Sequence, residues 1–122
     1  MVGPWILAIP LRLGRGLNDR EHRMARVRRV KRERRAIHLL WPWQWKGRTQ
    51  AFPLLVTLTR VSPSPKPLDD DNLAASLKAV RDQVAAELGV DDGDRVRILF
   101  VPAQERGPWG VRVEVQEAPH VP

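Results

Sequence analysis

The sequence predicts a single α+β domain in which two helices pack against a small mixed β-sheet, in the order β-α-β-α-β-β. Four short segments rich in aliphatic and β-branched residues indicate strands. Two longer segments with apolar residues every three or four positions indicate helices. Prolines, glycines and aspartates separate these segments. The length of 122 residues suits one domain, spanning 1–122, with a modest core.

The composition is strongly basic. The formal net charge is +7 and the sequence pI is about 11.2, and arginine supplies most of the excess. Arginine-rich surfaces favour phosphate recognition. The absence of cysteine excludes disulfides, zinc thiolates and a thiol nucleophile, and is compatible with a reducing cytoplasm. No apolar run is long enough to span a bilayer, so we expect a cytoplasmic protein without a membrane partner.

The first strand is predicted at Trp5 to Pro10, an apolar run that proline ends. The amino-terminal residues lack the leading basic region and the cleavage site of a signal peptide. The next segment, Leu11 to Gly16, contains Arg12, Arg15 and two glycines, and it is predicted to form a flexible basic loop.

The first helix is predicted from Asn18, which can cap it with Glu21 in a capping box, to about Leu40, before Pro42. A loose apolar stripe follows the helical repeat, with Arg34 inside it, which requires either a partner for this arginine or a bend in the helix. The stripe consists of Met24, Val27, Val30, Ile37 and Trp41.

Basic residues crowd this helix, and only Glu21 and Glu33 balance them. One interpretation is a solvated basic face. The other, which the small number of acids favours, is a surface that follows a DNA backbone. With the preceding loop, the candidate DNA-binding residues are Arg12, Arg15, Arg20, Arg23, Arg28, Arg32 and Arg35.

Three of the five tryptophans lie between Leu39 and Trp45. They can stack on bases. Packing in the core or at a subunit interface is the favoured interpretation, because large aromatic residues dominate both.

The second strand is predicted at Phe52 to Arg60, and the proline-rich segment Val61 to Pro67 ends it. The second helix is predicted to be capped by Asp71 or Asn72 and to end at Gly89 as a left-handed residue. Its predicted core stripe is Leu73, Leu77, Val80, Val84 and Leu88.

Two final strands are predicted at Arg95 to Val101 and at Val111 to Gln116. The loop Ala103 to Gly110 joins them, and the three segments are predicted to form a hairpin.

Carboxylates gather at both ends of the second helix. Asp69 and Asp71 are one residue apart, and their side chains can converge if the segment is extended. Asp91 or Asp92 can complete the site if the next strand returns beside them. Hard cations such as Mg²⁺ bind such oxygen ligands together with a substrate phosphate, and they activate water for phosphodiester hydrolysis. The alternative is that these aspartates only cap a helix and form a turn.

Lys78 lies on the charged side of the same helix, close in angle to Asp71 and Asp82. It can neutralise charge that develops on a phosphate. Asp82, four residues further on, can hold Lys78 in place.

Three motifs follow one another along this region: Asp69-x-Asp71-Asn72, Lys78-x-x-x-Asp82 and Gly89-Val90-Asp91-Asp92. Their succession resembles the RusA family of Holliday-junction resolvases, which is common in phages and prophages. The resemblance extends over nearly the whole chain: a first strand that ends in proline, Leu17-Asn18 opening a basic helix, and a glycine-rich closing turn.

The resemblance implies a homodimeric endonuclease of DNA recombination and repair that cuts four-way junctions symmetrically. It implies Mg²⁺, with Mn²⁺ as a substitute, held by Asp69, Asp71 and Asp92, with Asp91 as the rival third ligand and Lys78 as a further catalytic residue. Lys78 follows Asp71 by seven residues, where the best-known form of the family has four. Either the lysine lies one turn further along nearly the same face, or the segment Ala74 to Ser76 is an insertion and the helix starts later.

Two other functions remain open from the residues. One is a non-catalytic DNA- or RNA-binding protein, for which no divalent ion is needed. The other is a nuclease that acts on flaps or replication forks, which only a panel of branched substrates distinguishes from a junction resolvase.

Overall fold

The structure is a computed structural model that describes residues 5–16, 21–45, 53–91, 93–94 and 96–118, with the backbone alone at 42–45. The elements are β1 (Trp5–Ile9), α1 (Arg23–Trp45), β2 (Leu54–Ser62), α2 (Asp70–Ser76), α3 (Lys78–Leu88), β3 (Ile98–Arg106) and β4 (Gly110–Glu117). This order confirms the predicted α+β class, with the second helix divided in two. Across the described ranges, no helix has the length and apolar character that crossing a membrane requires.

The four strands form one mixed sheet in the order β1-β4-β2-β3. Strands β2 and β3 are parallel, while β4 is antiparallel to both β1 and β2. The predicted hairpin of the last two strands is therefore wrong, because β2 lies between them. After β3, the chain crosses the end of β2, where the Gly107 N–H donates to the Ser62 carbonyl at 3.0 Å. Strand patterns identify β3 and β4 but do not specify their partners.

The core lies between one face of the sheet and the helices. Alternate residues of β1, β2 and β4 are buried on this face, as the two-residue period of a strand requires. They include Trp5, Leu7, Ile9, Leu54, Val56, Leu58, Val111, Val113 and Val115. The predicted stripe of the second helix is confirmed, because all five of its members are buried.

Helix α1 begins later and ends later than predicted. The predicted cap Asn18 lies outside the described residues, and His22 caps the helix instead: its Nδ1 accepts from the Met24 N–H at 3.2 Å. The helix continues through Pro42. Proline removes one hydrogen bond of the helix, but its fixed φ is compatible with helical geometry. Trp41 anchors the preceding turn against Trp5, with ring centroids 4.6 Å apart, which confirms the core interpretation for Trp41. The side chains of Trp43 and Trp45 lie outside the described residues.

The apolar stripe predicted for α1 is wrong in its first half. Met24 and Val27 are exposed, whereas Glu33 is buried in the row that continues through Ile37. Arg34 has the partner that its position required, because its Nε donates to Gln83 of α3 at 2.9 Å.

The second helix breaks at Leu77. The hydroxyl of Ser76 donates to the Leu73 carbonyl at 2.8 Å, and such side-chain bonds to the helix backbone bend helices. The break separates α2, which begins at the first acidic cluster, from α3, which ends at Gly89 with a left-handed φ of 74° as predicted.

Candidate nucleic-acid cleft and acidic turn

The acidic turn, Asp69–Asp71, lies where the loop after β2 enters α2. Asp69 is the N-cap, and its Oδ1 accepts from the Asn72 N–H at 2.9 Å. The side-chain amide of Asn72 donates to both oxygens of Asp69, at 2.9 and 3.0 Å. The predicted caps, Asp71 and Asn72, are therefore wrong by two or three residues, and Asp69 has the capping role.

Asp70 and Asp71 belong to the first turn of α2. The segment that was expected to be extended is therefore helical from Asp70 onward, so the alternation of side chains along a strand does not apply to Asp69 and Asp71. Both carboxylates of the first turn are exposed, and neither has a hydrogen bond or ion pair to another described residue. Exposed carboxylate oxygens are the type of donor that a hard cation binds together with a substrate phosphate, although the positive end of the helix dipole opposes a cation at this position.

The second acidic cluster forms a turn between α3 and β3. The Oδ1 of Asp91 accepts from the Gly93 N–H at 2.9 Å. Asp94 accepts from the backbone N–H groups of Val96 and Arg97 and from the Arg97 side chain. The backbone hydrogen bond from Arg97 is the main cause that lowers the pKa of Asp94. Asp92, the predicted third metal ligand, lies outside the described residues.

The parallel pairing of β2 and β3 separates the two acidic clusters. At the start of β3, the Arg97 carbonyl accepts from the Leu54 N–H. Near its end, the Gln104 amide forms two hydrogen bonds with the Leu68 backbone, next to the acidic turn. From Arg97 to Gln104 the chain advances seven residues, or about 23 Å. Asp91 does not join Asp69 and Asp71, and no three acidic or histidine residues of the described ranges form a metal-binding group.

Lys78 is 67% exposed, and its Nζ donates to Asp82 at 3.1 Å, which is the pair expected from their spacing. The two line a cavity of about 350 Å³ between α1 and the broken helix, together with Glu21, Arg26 and Arg29. Gly16 also lines this cavity and lies against the backbone of Asn72, so the cavity begins near the acidic turn.

A basic cleft of about 680 Å³ also adjoins the acidic turn. Pro67 and Leu68, the two residues before Asp69, form part of its wall. Of the described lining residues, only Glu21 carries a negative charge. The six basic residues of the cleft are Arg12, Arg15, Arg29, Arg32, Arg60 and Lys66.

Trp109 lies beside two arginines of the basic cleft, Arg12 and Arg60, that are distant from each other in the sequence. The Arg12 guanidinium lies 4.6 Å from the centre of the Trp109 ring, and the Arg60 guanidinium lies 5.6 Å from it. Both distances are within the range of cation–π attraction. Arg60 and Trp109 were missed, although an arginine at an inward position of β2 was the available signal for the first. Arg60 is 4% exposed, so it is a buried arginine and not a surface charge.

Arg29 is held by two carboxylates at the boundary between the basic cleft and the smaller cavity. Its Nε donates to both oxygens of Glu21, at 3.0 and 2.9 Å, and its Nη1 donates to Glu33 at 2.9 Å. These bonds raise the pKa of Arg29 above its ordinary value. Burial raises the pKa of Glu33, against the lowering effect of Arg29. The pair of carboxylates fixes the direction of the Arg29 fork.

A basic ridge, defined as Arg28, Arg32 and Arg35, follows one side of α1. The spacing of four and three residues places these exposed side chains on one face, and Arg32 connects the ridge to the basic cleft. Of the other predicted DNA-binding residues, Arg12 and Arg15 line the cleft, and Arg23 is exposed at the start of α1. Arg20 lies outside the described residues.

Neither a family model nor a curated protein matches this sequence.

Proposed function

We propose that the protein is a metal-dependent endodeoxyribonuclease of the RusA type that cuts four-way DNA junctions as a homodimer in the cytoplasm of a bacterial or phage-infected cell. One observation carries the proposal: the acidic turn Asp69–Asp71 directly continues the wall of the basic cleft. A carboxylate group beside a phosphate-binding surface is repelled by DNA unless a cation lies between them.

In this proposal the protein supplies positioning and charge. The basic cleft and the basic ridge bind phosphates on both sides of the scissile bond. Asp69 and Asp71 would hold Mg²⁺ or Mn²⁺, with Asp92 or its rival Asp91, contributed by the second copy of the homodimer, as the third ligand. An ion held there would supply an activated water and stabilise charge on the phosphate. Asn72 fixes the orientation of Asp69, since its amide binds both carboxylate oxygens.

Lys78 has a more distant role in this proposal. Its ammonium group is bound to Asp82 and faces the cavity on the α1 side of the broken helix. A shift of this flexible side chain away from Asp82 would bring its charge toward a phosphate at the acidic turn. Lys78→Gln should therefore lower the cleavage rate and leave junction affinity nearly unchanged.

The test is cleavage of a synthetic four-way junction by the purified protein with Mg²⁺, and with EDTA as the control. We expect paired nicks in opposing strands that require the ion. An intact junction under conditions where the protein binds it would refute the enzymatic proposal. Flaps and model replication forks in the same assay identify the preferred branched substrate.

A second function, non-catalytic binding of DNA or RNA, is favoured by a different observation. Asp69 is engaged as a helix cap, with both of its oxygens bound by Asn72. Titration with Mn²⁺ followed by calorimetry discriminates between the two functions. A nuclease should take up the ion, and Asp71→Asn should abolish this uptake, whereas a simple binding protein should give no heat in either form.

A further inference from the structure

The basic cleft has a feature that an acidic catalytic turn does not require, namely an aromatic ring among its cations. Trp109 is the one aromatic residue among the described lining residues, and it lies in the turn that joins β3 to β4. The cations around it come from the loop after β1, from α1, from β2 and from the loop after β2. Counting the turn that carries Trp109, five separate segments therefore line the cleft, and two of their cations, Arg12 and Arg60, lie against the ring.

The charge of the cleft favours a ligand with several negative charges. Glu21 is the one acidic residue in its described lining, and both Glu21 and the buried Glu33 bind Arg29. Two carboxylates against six cations leave a clear excess of positive charge in the cleft. A concave surface with this excess of one sign concentrates ligands of the opposite sign.

The cleft is much larger than an isolated phosphate would fill. A water molecule occupies about 30 Å³ of liquid, and a phosphate is only a few times larger. The cleft volume of about 680 Å³ lies within the range of pockets that enclose organic ligands. It has room for a nucleotide together with its neighbouring phosphates.

The Arg12–Trp109 pair indicates how the base is held. A planar guanidinium 4.6 Å from the indole centre presents a flat, cationic surface, on which nucleobases stack. A base can use such a surface only when it has left the stack of a duplex. We infer that the basic cleft binds an unpaired stretch of nucleic-acid strand, with its phosphates against the arginines and one base on the Arg12–Trp109 pair.

This inference deepens the proposed function, on which it rests in taking DNA as the natural ligand, because base stacking is interrupted where strands exchange at a branch point. It assigns the strand beside the acidic turn an unpaired conformation. The loop before the acidic turn supports this geometry. Gln104 forms two hydrogen bonds with the Leu68 backbone, which hold the cleft wall in position next to the acidic turn.

The experiment measures binding without cleavage, in EDTA, by fluorescence anisotropy. The probes are a labelled oligothymidylate of about six nucleotides and a labelled duplex. Trp109→Leu and Arg12→Gln should each weaken binding of the oligothymidylate about tenfold, because a stacking surface is lost. Their affinity for the duplex should remain within about twofold. Arg97→Gln, which removes one exposed charge at the far end of β3, is the matched control and should change neither affinity.

Three results would overturn the inference: equal weakening for both probes, no weakening for either, or displacement of the oligothymidylate by tripolyphosphate at equal concentrations. The last would indicate a site for anions alone. Thermal unfolding verifies that each variant is folded. If Trp109→Leu does not fold, the test rests on Arg12→Gln, because Arg12 is exposed. A junction that stays intact while these variants lose strand binding would refute the nuclease and leave the inference standing. Cleavage of the junction by the unaltered protein, with strand binding unchanged in both variants, would support the nuclease and refute the inference.

Discussion

At the residue scale, Asp71 is the group that best separates catalysis from capping. It is exposed, lies at the second position of α2, and does not accept the capping hydrogen bond, which Asp69 does. Asp71→Asn should therefore reduce junction cleavage at least about a hundredfold. It should preserve junction binding or tighten it, because one repulsive charge is lost.

The neighbouring Asp70→Asn is the matched control for Asp71→Asn. It removes the same charge from the same helical turn, but Asp70 stands at the position that the acidic motif leaves unspecified. Cleavage by this variant should stay near that of the unaltered protein. Equal losses in both variants would mean that only the summed charge of the helix N-terminus matters.

Glu33 predicts an unusual dependence of stability on pH. Burial raises its pKa in the folded protein above the ordinary value of 4.5. The stability contribution of Glu33 is therefore fully present below about pH 4.5 and is lost as pH rises through the raised pKa. Denaturant unfolding at a series of pH values should show that this loss disappears in Glu33→Gln.

Glu105 provides a control of opposite sign for the Glu33 measurement. The side-chain hydrogen bond from Arg112 lowers the pKa of Glu105. Its contribution to stability is present above the ordinary value of 4.5 and is lost as pH falls through the lowered pKa. If Glu33→Gln and Glu105→Gln altered the pH profile in the same direction, the assignment to Glu33 would be wrong.

Gly16 connects the basic loop to the acidic turn by close backbone approach. Its φ is +70°, and an added Cβ would lie 2.2 Å from the Asn72 carbonyl oxygen. Gly16→Ala should lower the free energy of unfolding by at least about 2 kcal/mol, from left-handed strain and from this clash. Urea denaturation measures the loss.

Gly89 separates the two causes in the Gly16 prediction. It has nearly the same φ, +74°, but an added Cβ would meet no atom within 4 Å. Gly89→Ala should therefore cost only the conformational strain, about 1 kcal/mol. Equal losses at both positions would show that the contact with Asn72 contributes nothing.

At the scale of elements, periodicity predicted what each segment is but not how it ends or pairs. The predicted stripe from Leu73 to Leu88 was correct because the buried residues recur every three or four positions, as the helical repeat requires. The break at Leu77, beside the hydrogen bond from Ser76 to Leu73, and the position of β4 between β1 and β2 leave no mark in the periodicity of the segments. Glu33 was missed because its burial requires Arg29 as a partner, which a hydrophobic pattern does not record.

The basic ridge on α1 should supply a measurable part of the salt dependence of DNA binding. Replacing Arg28 and Arg35 with Gln removes two exposed charges that lie outside the lining of the basic cleft. For duplex DNA, the slope of log affinity against log salt should become shallower by about 1.8. Arg97→Gln, which removes an exposed charge before β3 and not on α1, should leave the slope unchanged. An unaltered slope in the double variant would place the duplex-binding surface elsewhere.

At the scale of the whole molecule, the sequence located the acidic clusters but not the distance between them. Asp69 and Asp91 lie only 22 positions apart in the chain, at the two ends of the broken helix. The parallel pairing of β2 and β3 places these ends at opposite ends of the two strands. The basic cleft was also beyond reach, because Arg12, Arg60 and Trp109 meet only through the sheet order.

This separation has a consequence for a site that uses both acidic clusters: its ligands would have to come from two copies of the chain. A mixture of Asp71→Asn with a second variant that carries Asn at both 91 and 92 tests this. In a mixed dimer with shared sites, one site would carry both substitutions and the other would be intact. We therefore expect each variant alone to be inactive and the mixture to nick one strand of a junction. Self-contained sites would leave the mixture inactive, since every site would then lack one carboxylate group.

If the variant at 91 and 92 is active alone, the second cluster only forms the turn that its hydrogen bonds to Gly93, Val96 and Arg97 describe.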